Sequence, residues 1–150
     1  MFNRVLMVCT GNICRSPMAQ VLLEQALKQR GLDIVVESAG LGALVGRAAD
    51  PLAIQLMEAR GLDLKAHRAR QLTREIIRSF PLILVMEKEQ QRGVEQLDPS
   101  ACGRVHRIGR VGDFDVPDPY RRGLPAFEES LGLIDRGLMQ IAKVFWSAKP

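Results

Sequence analysis

Two short stretches of the chain are apolar at every position: Val5-Leu6-Met7-Val8, following Arg4, and Leu82-Ile83-Leu84-Val85-Met86. An apolar run this short, without polar alternation, predicts a strand buried on both faces. Ile34-Val35-Val36 predicts a further short strand, and Val105 to Ile108 a weaker one. Between them the period changes. Met18, Val21, Leu22 and Ala26 fall at helical spacing. Ser16-Pro17 reads as an N-cap with proline at the first helical position, and Gly31 as the stop. Asp50-Pro51 opens a helix to about Arg60, with Gly61 behind it. Thr73 to Ser79 predicts a helical turn ahead of Pro81, and Glu87 to about Leu97 a polar helix. The last helix runs from about Ala126 to Phe145, with Leu131, Ile134, Leu138, Ile141 and Phe145 on one stripe. Gly109 to Pro125, rich in Gly, Pro and Asp, reads as a long surface loop. Strand–helix–strand units of about 30 residues imply right-handed crossovers and parallel strands. The expectation is one α/β domain over 1–150, a small parallel sheet with helices on both faces.

Composition adds exclusions. The chain has 150 residues, 47% hydrophobic and 25% charged, the profile of an ordinary globule long enough to fold without staples. No apolar run approaches the ~20 residues of a membrane helix, and the first residues lack a signal-peptide pattern, so no membrane insertion and a cytoplasmic location are expected. The net charge is +4, and 16 of the 21 cations are arginine, which suits planar recognition of oxyanions. Arg104, Arg107 and Arg110 recur without interleaved aromatics, so no nucleic-acid partner is expected. Three cysteines, Cys9, Cys14 and Cys102, and two histidines, His67 and His106, form neither a disulfide framework nor a zinc-spaced set. No metal and no cofactor are expected.

In α/β sheets ligands bind beyond the carboxyl ends of the strands. The first strand leads into Cys9-Thr10-Gly11-Asn12-Ile13-Cys14-Arg15-Ser16-Pro17, a cysteine and an arginine separated by five residues. A loop passing from a strand end to a helix N-terminus can aim successive N–H groups inward as an anion nest, with the helix dipole behind it. Arg15 adds a full charge and a fork matched to two phosphate oxygens. Cys9 would lie at the base of this positive cup, where the thiolate is favoured. Chance alone supplies about 0.3 such Cys-x5-Arg spacings here, so the weight comes from the preceding strand, the Gly and Asn inside the loop and the Ser-Pro after it. Expelling a phenolate near pH 7 also requires a proton donor. Asp113, Asp115 and Asp118 in the 109–125 segment are candidates, and spacing does not choose among them.

Val-Cys-Thr-Gly-Asn-Ile-Cys-Arg-Ser-Pro at 8–17 resembles the low-molecular-weight protein tyrosine phosphatases. Ser38-Ala39-Gly40, Asp50-Pro51, His67 to Leu72, Leu82 to Glu87 and Asp118-Pro119-Tyr120 match in the same order. The resemblance implies a four-stranded parallel sheet in the order 2-1-3-4. It assigns Cys9 as nucleophile, Arg15 as phosphate ligand and Asp118 as general acid and then base for a phosphocysteine intermediate. Thr10, Gly11, Asn12, Ile13, Cys14 and Ser16 complete the phosphate loop, with Ser16 able to cap the helix or to donate to the thiolate. Asn12, Ser38 and His67 form a supporting network, which makes His67 structural rather than a base. Tyr120 flanks the pocket. Leu41 and Leu44 stand where eukaryotic members place an aromatic, so an aliphatic wall is expected. Cys14 is implied as a reversible disulfide partner of Cys9; Cys102 receives no role.

Within this fold three other readings compete. A thioredoxin-coupled arsenate reductase needs two further cysteines, and only Cys102 remains. Protein-arginine phosphatases carry threonine where Ile13 stands. A phosphotyrosine-binding module without turnover would not need Cys9, Arg15 and Asp118 together. The nearest resemblance is to the bacterial branch associated with capsule and exopolysaccharide export. It implies a monomer acting on a phosphotyrosine protein, the tyrosine-rich tail of a membrane-bound tyrosine autokinase, with Arg121 and Arg122 placed to steer an acidic tail.

Overall fold

The computed structural model describes residues 2–147. Strands β1 (Arg4–Cys9), β2 (Val35–Gly40), β3 (Leu82–Val85) and β4 (Val105–Arg107) form one parallel sheet in the order β2-β1-β3-β4. The helices are α1 (Arg15–Gln29), α2 (Pro51–Glu58), α3 (Arg74–Arg78), α4 (Lys88–Leu97) and α5 (Leu124–Phe145), with a 3-10 turn at Pro99–Ala101. This is the α/β architecture and strand order expected from the sequence.

Side-chain alternation along β1 divides the interior into two cores. Val5, Met7 and Cys9 face a larger core filled from α1, α2 and α5, including Met18, Leu23, Met57, Phe127, Ile134 and Ile141. Leu6 and Val8 face a smaller one with Ile77 of α3 and Val94 of α4. Burial on both sides explains why β1 and β3 lack polar alternation. It also fixes register, since a slip of one residue would exchange the two faces.

Three local expectations change. The second strand does not stop at Val36: it continues through Glu37-Ser38-Ala39-Gly40, and Gly40 pairs with Cys9. Low β-propensity at these positions hid the extension; main-chain pairing with β1 supplies it. Gly40 also touches the loop after β1 so closely that a Cβ there would collide with the Thr10 carbonyl. Ser16 is not the N-cap: α1 begins at Arg15, Cys14 occupies the cap without a side-chain cap bond, and the Ser16 hydroxyl is engaged elsewhere. The 109–125 segment is not simply a surface loop either. Val116 is fully buried, and its N–H donates to Met86 O at 2.9 Å. No helix among the described residues is long and apolar enough to cross a membrane.

Candidate active site

The loop after β1 is shaped by what its carbonyls bind. Cys9 O accepts from Leu41 N, Thr10 O from Gly42 N and Gly11 O from Leu44 N, each at 3.0 Å. Asn12 O accepts from His67 Nε2 at 2.7 Å, and Ile13 O from Asp50 N at 2.9 Å. Five consecutive carbonyls are therefore bonded outward. In a trans peptide the carbonyl and the next N–H point in opposite directions. The N–H groups of residues 10–14 are thus turned to the loop's inner side, the arrangement of an anion nest. The N-terminus of α1 follows without an acidic residue in its first turn, adding partial positive charge.

Asn12 is the hub of this loop. Its φ of 59° is left-handed, which asparagine tolerates better than most residues. Its Nδ2 donates to Ser16 Oγ at 2.8 Å and to Ser38 Oγ at 3.0 Å. Its Oδ1 accepts from Arg70 N at 2.9 Å. Ser38 Oγ in turn donates to Gln20 Oε1 at 2.8 Å. Because Ser16 accepts from Asn12, its own hydroxyl proton is left for the Cys9 sulfur, 2.9 Å away. Asn12, Ser38 and His67 thus stand together as expected; Gln20 and Arg70 are members that spacing did not reveal.

His67 bonds the Asn12 carbonyl through Nε2, so that nitrogen carries a proton. The imidazole pKa is lowered from its ordinary value, chiefly by burial and also by Arg68, against the opposing bond to Asn12. The folded protein therefore resists protonation that the unfolded chain accepts. Stability is full above the ordinary histidine pKa and declines as pH falls from there through the lowered value. His106 is shifted in the same direction, chiefly by burial, with Arg110 adding to it and a bond to Gly103 opposing. The thermal midpoint is expected to drop between pH 7.5 and 5.5, and His67→Gln to flatten that drop. An unchanged slope in the variant would remove His67 from this account.

Arg15 is almost wholly buried, at 2% exposure. Its Nη1 donates to Glu87 Oε1 and, at 2.7 Å, to Val116 O. Its Nη2 faces Asp118 Oδ2 at 3.8 Å. The guanidinium is thereby clamped between the start of α4 and the 109–118 segment. Glu87 also begins α4 as N-cap of a reciprocal capping box with Gln90. Its position just past β3 was the available sequence signal, since ligands and their supports gather beyond strand ends.

A cavity of about 150 Å³ is lined by Cys9, Thr10, Gly11, Ile13, Cys14 and Arg15 on its floor, and by Gly42, Leu44, Asp118 and Tyr120 on its walls. The three aspartates are now distinguished. Asp118 lines this cavity, and its Oδ1 accepts from Tyr120 N at 3.0 Å; Asp113 and Asp115 are held by Arg107. Leu44 forms the aliphatic wall expected for it. Leu41 does not: it packs on Gly93 of α4 and borders a neighbouring groove with Thr10 and Gln90, because β2 pairing turns it to the α4 side. Thr10 Oγ1 accepts from Gln90 Nε2 at 3.2 Å, tying loop to helix. The Tyr120 ring carries the Arg121 guanidinium 5.1 Å from its centroid.

Cys9 and Cys14 are buried free thiols, and Cys102 is an exposed one. Burial pushes the Cys14 thiol up, with the carboxylate of Asp50 adding to it and Arg15 opposing. Glu95 raises the Cys102 thiol as well. Among the described residues no three His, Cys, Asp or Glu side chains gather as a metal site would require.

This arrangement places a sulfur, an anion nest, a guanidinium and a carboxyl around one cavity. The sequence profile described as low molecular weight phosphotyrosine protein phosphatase matches residues 4–148. A curated relative from Ralstonia solanacearum, a probable low molecular weight protein-tyrosine-phosphatase EpsP, is 48% identical over 138 residues, covering 92% of each chain. The low molecular weight protein-tyrosine-phosphatase Wzb of Escherichia coli K12 is 42% identical, covering 95% of each. The solved structure of Vibrio vulnificus Wzb in complex with benzylphosphonate superposes with a TM-score of 0.90 at 37% identity, covering 97% of this chain and all of that one.

Proposed function

We propose a mechanism and a substrate for this chain, which belongs to the low molecular weight phosphotyrosine protein phosphatase family and is a protein-tyrosine phosphatase. The observation that carries the mechanism is the row of five outward-bonded carbonyls from Cys9 to Ile13. It leaves an inward ring of N–H groups beside Cys9, ready for three phosphate oxygens.

In the first step the Cys9 thiolate attacks phosphorus in line, and the bond from phosphorus to the tyrosyl oxygen breaks. The Asp118 carboxyl gives its proton to that oxygen, so tyrosine leaves neutral. Arg15 and the nest hold the equatorial oxygens, where charge is spread in the transition state. The Ser16 hydroxyl donates to sulfur and steadies the thiolate as leaving group for the second step. There the Asp118 carboxylate takes a proton from water, the water oxygen bonds phosphorus, and the sulfur–phosphorus electron pair returns to Cys9. Inorganic phosphate is released. Tyr120 and Leu44 flank the aromatic ring of the substrate, and Ile13 adds an apolar side chain to the cavity lining. The benzylphosphonate in the Vibrio relative has the same aryl-and-phosphoryl shape and supports this placement.

The reading extends over the whole chain, 1–150, as one phosphatase domain. The substrate is the phosphorylated tyrosine-rich tail of a membrane-bound tyrosine autokinase of polysaccharide export. Resemblance to the bacterial capsule and exopolysaccharide branch supports it, and the exposed Arg121 beside the pocket suits an acidic phosphorylated tail. A reversible Cys9–Cys14 disulfide, implied by the family resemblance, would shield the nucleophile from overoxidation.

Incubation with the phosphorylated kinase tail is expected to release phosphate from tyrosine, to be blocked by vanadate and to proceed in EDTA. Release from phosphoarginine but not phosphotyrosine would transfer the chain to the arginine-phosphatase reading. Turnover of small aryl phosphates with none of the tail would remove the kinase as substrate.

A further inference from the structure

The acid loop is fastened by a side chain that lies outside the cavity. Arg107 ends β4 and is mostly covered, with 12% of its side chain exposed. Its Nη2 donates to Asp113 Oδ1 at 2.5 Å and its Nη1 to Asp115 Oδ1 at 3.0 Å. Asp115 Oδ1 also accepts from Lys88 N, the first residue of α4, at 3.2 Å. One carboxylate therefore joins β4, the α4 N-terminus and the loop. From Asp115 to Asp118 the chain has little freedom. Val116 is pinned through its N–H to Met86 and through its carbonyl to Arg15. Pro117 has a fixed φ, and its carbonyl accepts from Ser130 Oγ at 2.7 Å.

We infer that Arg107 is a positioning residue for the reaction, setting the place of the Asp118 carboxyl by gripping the loop at Asp113 and Asp115. The inference rests on Asp118 being the general acid. The alternative is an ornamental surface ion pair. Its carboxylates are well exposed, and such pairs add little to global stability. That favours a local effect: Asp113 adopts a left-handed φ of 53°, a conformation held against intrinsic preference, and Arg107 is the cation that holds it. Arg107 makes no hydrogen bond to the nest or to Arg15, and the Val116 peptide that supports Arg15 is held separately by its N–H on Met86 O, so phosphate binding is expected to depend on Arg107 far less than the acid does. Displacement of a catalytic group by about 1 Å can reduce rate by 10²-fold.

The test is the dependence of kcat/KM, which reports formation of the phosphocysteine, on the leaving group. Phenyl phosphate needs a proton donor as tyrosine does; dinitrophenyl phosphate does not. Arg107→Gln is expected to lower kcat/KM for phenyl phosphate by roughly ten- to a hundredfold. It should leave dinitrophenyl phosphate and inhibition by inorganic phosphate within about twofold. Arg107→Lys should recover part of the loss. Asp118→Asn should show the same selectivity with a larger loss, and adding Arg107→Gln to it should cost nothing further, because both act on one group. Equal loss on both substrates, or none, overturns the role of Arg107. If Asp118→Asn is itself insensitive to the leaving group, the assignment of the acid fails instead. Should Arg107→Gln not fold, Asp115→Asn decides the matter by the same readout.

Discussion

Cys9→Ser is expected to lower kcat for p-nitrophenyl phosphate by roughly 10⁴-fold or more. The replacement is nearly isosteric at a position 2% exposed, so the fold should persist. What changes is the nucleophile. A serine hydroxyl remains protonated, and no base adjoins it: Ser16 Oγ, 2.9 Å away, has its own proton to donate. The residues that hold phosphate are untouched, because the nest is made of backbone and Arg15 is clamped by Glu87 and Val116. Calorimetric titration should therefore still show phosphate and phosphotyrosyl-peptide binding, and the peptide should stay intact. Retained hydrolysis in this variant would remove Cys9 as the attacking atom, whatever the fate of the rest of the site.

The second large effect concerns Arg15→Lys, with an expected loss in kcat of roughly 10³-fold. Charge is conserved, so a purely coulombic role would leave most of the activity. The fork is not conserved. One edge of Arg15 is occupied by the Glu87 carboxylate and the Val116 carbonyl, while Nη2 faces the cavity opposite Asp118. A single ammonium on a flexible stem cannot satisfy both supports and still present donors to the phosphoryl oxygens. Since those contacts exist in the ground state as well, inorganic phosphate should also inhibit more weakly. Kinetics on aryl phosphates with phosphate as competitor read both terms. A loss of less than tenfold in kcat would reduce Arg15 to a bulk charge.

How far the sequence speaks for this site depends on which interactions are local. β1 and β3 are legible because burial on both faces writes an uninterrupted apolar run. Cys9 and Arg15 are legible because strand end, loop and helix start are contiguous. The rest is set at a distance. Glu37 to Gly40 lack strand-forming side chains and become β2 only through pairing with β1. Ser16 has the composition of a cap, yet Asn12 and Cys9 claim its hydroxyl. Leu41 is three residues from Leu44 but turned toward α4, a direction that spacing does not encode. In the sequence, spacing does not separate Asp118 from Asp113 and Asp115, and only the family resemblance does; the clamp on Arg15 requires seeing Glu87, 72 positions away in the chain.

Asn12 spends its side-chain amide and its carbonyl on Ser16, Ser38, Arg70 and His67. The conformation that receives phosphate is therefore reached during folding, not at each encounter with ligand. The apparent dissociation constant is the intrinsic one divided by the fraction of molecules already competent, so a loop held in its binding shape by these bonds loses little affinity to that factor. An enzyme assembled this way has no loop rearrangement to complete between one turnover and the next.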